Sequence, residues 1–221
     1  MTNSVNAELE SLTIALIGSF NPGIFQPAWF AAQKLISDDE AEKATIHLIT
    51  SDVAVFSLGW ASVSVEKDKF VVECLQPPFY EATRDLVLGT FRVLRHTPAN
   101  MLGINRTCHF QIEGREEMLR LGHLLAPKEY WTGVLTNPLL RKMVMLSERT
   151  DGKKGAVNVT IEPSLRVNSG VFIQVNDHFE NKEEQDITAL TSVLNAVFQE
   201  SLARSETIMQ HVLAFRNESH S

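Results

Sequence analysis

The stretch ASVSVEKDKFVVECLQPPFYEATRDLVLGTFRVL, residues 61–94, decides the fold class. Val63 and Val65 alternate with Ser62, Ser64 and Glu66, the period-two pattern of a strand with one face in a core. Lys67-Asp68 turns the chain, and FVVECL, residues 70–75, returns as the second arm of a hairpin. Pro77-Pro78 then ends the sheet, because proline cannot donate to a ladder. From there the apolar positions Leu86, Val87, Phe91 and Leu94 follow helical spacing through about Leu94. Hairpin strands followed by an amphipathic helix predict an α+β protein, an antiparallel sheet with helices covering one face.

Working outward toward the N-terminus, residues 44–58 read as one long strand or two, interrupted near Ser51-Asp52. Pro27 opens a helix over 28–36, and NPGIFQP, residues 21–27, is a loop. LTIALIGSF, residues 12–20, reads as a buried strand, and residues 1–10 as a disordered or loosely attached leader. Toward the C-terminus, 101–112 reads as a strand and 115–125 as a short helix. Three strands follow at 141–149, 155–162 and 170–180, with DGKKG at 151–155 the sharpest break between them. A long amphipathic helix over 186–214 closes the chain, its stripe built from Leu190, Val193, Leu194, Val197, Phe198, Leu202, Ile208 and Val212.

Each half therefore reads strand, helix, three or more strands, helix. The expectation is a single compact unit over 1–221, made of two pseudo-repeats, 11–98 and 99–215, related by a pseudo-twofold rotation. This order of elements resembles the TATA-binding-protein-like fold, in which helices cover one face of a curved antiparallel sheet. Likeness of element order carries no function with it.

The formal charge of −7 and a pI near 5.5 argue against nucleic-acid binding, which draws most of its affinity from basic patches on phosphate. Basic residues here stand singly or in pairs, such as Arg141-Lys142 and Lys153-Lys154. Cys74 and Cys108 both lie in apolar strand contexts and read as reduced core residues. The polar N-terminus is unlike a signal peptide, and Leu12–Ile17 is far too short to span a bilayer. The chain is expected to be cytoplasmic, without a membrane partner.

No Walker loop, G-x-G-x-x-G, G-x-S-x-G, H-E-x-x-H or paired C-x-x-C occurs, so no cofactor is indicated and no catalytic residue stands out. The polar signal lies instead on two strands. Asn105, Thr107, His109 and Gln111 alternate with Ile104, Arg106, Cys108 and Phe110, and Gln174, Asn176, His178 and Glu180 with Ile173, Val175, Asp177 and Phe179. Alternate positions share a sheet face, so Asn105, His109, Gln174, Asn176 and His178 are the candidate binding residues, expected on one common face, looking outward or into an interface. Arg166, in EPSLR at 162–166, is a sixth candidate, oriented toward an anion or paired with Glu162 in a turn. The plainer reading of both strands is the wet face of a half-buried sheet. A zinc site would need His109, Asp177, His178 and Glu162 to converge, and no short spacing brings them together, so no metal is assigned. Phe25, Trp29 and Phe30 beside the 21–27 loop, and Tyr130-Trp131, either plug a core or line a pocket.

Five segments, IGSFNPGIFQPAWF (17–30), RDLVLGTFRVLRHTP (84–98), LGINRTCHF (102–110), LGHLLAPKEYW (121–131) and IEPSLRVNSGVFIQVNDHFE (161–180), resemble a sporadically distributed family of uncharacterised bacterial proteins. The resemblance implies a bacterial or phage origin and brings no catalytic residue. The leading expectation is a non-enzymatic protein-interaction module that binds a protein partner or itself. Two alternatives stand beside it. One is an accessory component of phage defence or a toxin–antitoxin pair; the other is a small-molecule-binding protein or enzyme with a pocket near the 21–30 loop.

Overall fold

A computed structural model describes residues 6–181 and 185–217. The strand signals all become strands of one antiparallel sheet. These are β1 (Leu9–Gly18), β2 (Thr45–Ile49), β3 (Val53–Ser57), β4 (Ser62–Glu66), β5 (Lys69–Cys74), β6 (Ala99–Gln111), β7 (Met143–Glu148), β8 (Gly155–Pro163) and β9 (Gly170–Glu180). Their order is β2-β3-β4-β5-β1-β6-β9-β8-β7. The helices are α1 (Pro27–Ala32), α2 (Asp38–Glu42), α3 (Tyr80–Val93), α4 (Gly114–Leu125) and α5 (Ile187–Leu213).

Local chemistry accounts for the boundaries. The 44–58 run is two strands, because Thr50 folds back at the turn: its Oγ1 accepts the N–H groups of Asp52 and Val53. Ser37 and Glu40 form a reciprocal capping box at the start of α2. Asp186 accepts the Thr188 N–H at 2.8 Å and caps α5, which at 27 residues is about 40 Å long. Gly155 has φ +133°, and a Cβ there would collide with the His178 carbonyl, so only glycine lets β8 start against β9.

The leader expectation is corrected from Glu8 onward. The Glu8 N–H donates to the His109 carbonyl at 2.9 Å, and β1 begins at Leu9, paired along its length with β6. Residues 1–5 of that leader lie outside the described residues.

Alternation splits the sheet cleanly. Leu12, Ile14 and Leu16 of β1, Val63 and Val65 of β4, Leu102 and Ile104 of β6, and Ile173, Val175 and Phe179 of β9 all point to one face and are buried. All five helices contribute side chains to the two apolar clusters on that face. The larger cluster lies under α3 and the first half of α5, and gathers Phe20, Phe25, Phe30, Phe56, Phe70 and Phe91. The smaller lies under the end of α5 and α4, around Phe110, Leu121, Ile173 and Met209. Each fully buried phenylalanine contributes roughly 1.5–3 kcal/mol of transfer free energy. Phe25 and Phe30 pack against Phe70 and Phe56, so the space under the 21–27 loop is filled by rings. Cys74 and Cys108 are both free thiols and buried in these clusters.

Candidate functional site

The opposite face of the sheet carries no helix among the described residues, and there the two polar strands lie side by side. β6 and β9 pair so that Asn105 stands opposite Asn176, Thr107 opposite Gln174, and Gly103 opposite His178. The rows run on into neighbouring strands. Thr13 of β1, Asn105, Asn176 and Asn158 of β8 form one continuous line, and Ser11, Thr107, Gln174 and Thr160 form the next. Directly opposite residues of an antiparallel pair share a face, so this is a polar surface four strands wide at the middle of the sheet.

The hydrogen bonding along it is incomplete. The Asn105 amide donates to the Thr13 carbonyl at a long 3.4 Å, and His178 Nε2 lies 3.2 Å from Glu180 Oε1. Asn176 Oδ1 is buried with no hydrogen-bond partner among the described residues. An unsatisfied buried acceptor costs about 1–3 kcal/mol, which a binding partner with a donor would recover.

At one end of this face the chain after β8 folds back and makes a cleft of ≈ 630 Å³. It brings three of the six predicted residues together, His109, Gln174 and Arg166, along with Thr107 and Phe172. Asn105, Asn176 and His178 lie further along the same face, outside the cleft. His109 lies on this face but is covered rather than open to solvent: it is only 6% exposed, packed edge-on against Phe172 at 5.1 Å. Its Nδ1 meets Ser164 Oγ at 2.8 Å. That oxygen already accepts the backbone N–H groups of Arg166 and Val167, so the Ser164 hydroxyl donates to Nδ1 and His109 is the neutral Nε2–H tautomer. Burial, then the nearby Arg166 charge, holds the His109 pKa below its ordinary value, consistent with that assignment. Through these three hydrogen bonds Ser164 fastens the start of the 164–170 turn to His109 of β6.

The expected pairing of Glu162 with Arg166 is also corrected. Glu162 pairs with Lys142, 3.3 Å away just before the neighbouring strand β7, rather than with Arg166 within the turn. The four suggested zinc ligands cannot converge, because Asp177 opposes Ile104 on the helix-covered face while His109 and His178 point the other way. Among the described residues no three His, Cys, Asp or Glu side chains gather in a metal-binding group.

The charge networks that sequence reasoning missed lie under α5. Arg106 and Asp177 occupy core-facing positions of β6 and β9, where alternation alone would put apolar groups. Arg106 donates to Glu10 of β1 and to Glu206 of α5, both at 2.9 Å. Asp177 is 1% exposed and accepts from both Arg149 and Arg204, while Arg149 also binds Asp151 and lies 3.9 Å above the Phe179 ring. The Arg149 hydrogen bond holds the Asp151 carboxyl down at about 2. These networks tie α5 to the sheet where the two apolar clusters meet. Their only sequence signal was a charge out of phase with its strand.

The aromatic pairs part company. Trp29 packs against the core, edge-on to Phe30 at 5.0 Å, whereas Tyr130 is 83% exposed and Trp131 42%.

Fold and surface together define an α+β protein with an antiparallel sheet left bare on one face. Compared with known proteins, the chain matches no family model and no curated protein sequence. Among the described residues no helix is long and apolar enough to cross a membrane.

Proposed function

We propose that this is a non-enzymatic protein-interaction module of a bacterial or phage system, and that the bare sheet face is its binding surface. One observation carries the reading: polar side chains run in register across four strands, and one of them, Asn176, has a buried carbonyl oxygen still without a donor. Asn105, Asn176, Gln174 and His178 supply mixed donors and acceptors suited to a protein surface. His109 and Arg166 shape the end of that surface as a cleft. We read the sheet as a duplication in the manner of the TATA-binding-protein-like saddle. In support, β3-β4-β5-β1 on one side of the β1–β6 pair is mirrored by β7-β8-β9-β6 on the other, with β2 additional.

Photo-crosslinking tests the binding surface. A photoreactive residue at Asn158 or Thr160 on the bare face should capture the same partner, and Gln174→Lys or Asn176→Lys should abolish capture. Capture of that partner from Gln199 on α5 instead, or capture unaffected by the lysines, would assign binding elsewhere.

A further inference from the structure

The two edges of the sheet are not equivalent. At one, β2 has a register slip between Ile46 and Leu48, a bulge of the kind that blunts strand edges. At the other, β7 pairs with β8 in unbroken register from Met143 to Glu148 and has no proline or internal charge. Its other edge is unpaired among the described residues. Val144 is 55% exposed, Met145 55% and Leu146 69%, so large apolar groups project from both faces of an open edge strand. Natural proteins cover or charge such an edge, because its free N–H and C=O groups accept any strand that fits.

The sequence RKMVMLSE, residues 141–148, fits itself. Two copies laid antiparallel about a twofold axis through Met145 put Val144 opposite Leu146 and Met143 opposite Ser147. Lys142 then stands opposite Glu148 at both ends. The register keeps like faces together: Val144 and Leu146 lie on the bare face, opposite Thr160 and Asn158 of β8, and Glu148 lies with them opposite Ala156. Lys142 reaches Glu162 on that same face and is half exposed, so its ammonium is available to a second carboxylate. Opposite charges across a strand pair stabilise it and like charges oppose it. We propose that this chain forms a twofold dimer by β7–β7 pairing centred on Met145, joining two nine-stranded sheets and their bare faces edge to edge. The inference stands apart from the partner reading above, since it concerns a different surface and a different occupant.

Sedimentation and cysteine crosslinking test it together. Wild-type protein should sediment as a concentration-dependent dimer, and Met145→Lys, which sets two ammonium groups face to face across the axis, should be a folded monomer with an unchanged circular-dichroism spectrum. Cα atoms in directly opposed strand positions lie within disulfide reach. Met145→Cys should therefore crosslink to itself on mild oxidation, while Val144→Cys and Leu146→Cys should crosslink only when mixed. Cys74 and Cys108 are buried and stay out of the reaction. A wild-type protein that sediments as a monomer at all concentrations overturns the proposal. So does a dimer that persists in Met145→Lys, or one whose cysteine crosslinks ignore the 144–146 pairing.

Discussion

Removing the carboxylate of Asp177 tests the account of how α5 is held. Asp177 is 1% exposed and the side chain of Arg149 only 2%. Asp177→Ala takes one of two acids from a cluster with two arginines, so Arg149 and Arg204 must share Asp151 and one cation is left in excess, with the Arg149 side chain out of reach of water. Breaking a buried pair by removing one partner costs about 3–5 kcal/mol, much of it the uncompensated charge left behind. For a chain of this size that corresponds to a fall in Tm of roughly 10 °C. Urea denaturation followed by tryptophan fluorescence and circular dichroism reads it directly, with an unchanged slope showing that the same surface is exposed on unfolding. Lys43→Ala serves as the control. Its i,i+4 partner Asp39 and the lysine are both more than two-thirds exposed, so the loss should stay under about 0.5 kcal/mol. Adding Arg149→Met to Asp177→Ala should recover part of the deficit by removing the excess cation and leaving Arg204 with Asp151. A loss below about 1 kcal/mol for Asp177→Ala, or no recovery in the double variant, would refute the view that this network is buried and mutually dependent.

The two strand histidines should behave differently in the same assay. His109→Ala, which removes a buried ring and the Ser164 hydrogen bond, should cost about 1–3 kcal/mol, and His178→Ala, on the half-buried open face, less than about 0.5. The depressed pKa of His109 also gives a pH signature. The unfolded chain takes up that proton at the ordinary histidine value of 6.5 while the folded one resists it, so stability present above pH 6.5 falls on acidification. His109→Gln should flatten that fall, as followed by urea midpoints between pH 7 and pH 5. Neither cysteine should react with a thiol reagent until the protein unfolds. Both are buried, and burial pushes the Cys108 thiol up to about 12; rapid native labelling would contradict the packing of both.

How much of this was legible beforehand follows from the range of the forces involved. Alternation at Val63 and Val65 and helical spacing from Leu86 to Leu94 report on a residue's own strand or helix, because they depend only on the backbone repeat. The same local rule put Asn105, Gln174, Asn176 and His178 on the faces of their strands, and the pairing of β6 with β9 brings those faces together. Element types and most boundaries could therefore be read from the chain. What the tertiary structure alone decided is who meets whom. Arg106 finds Glu10 across 96 residues, and His109 finds Ser164 across 55. Neither pairing is encoded in any spacing, since each follows from strand order and from a turn folding back over the sheet. The same is true of Asp177. Its charge stood out of phase on the apolar side of β9, and only the closing of α5 and Arg149 over it gives the reason, since a buried carboxylate is tolerable only where its partners arrive from elsewhere in the fold.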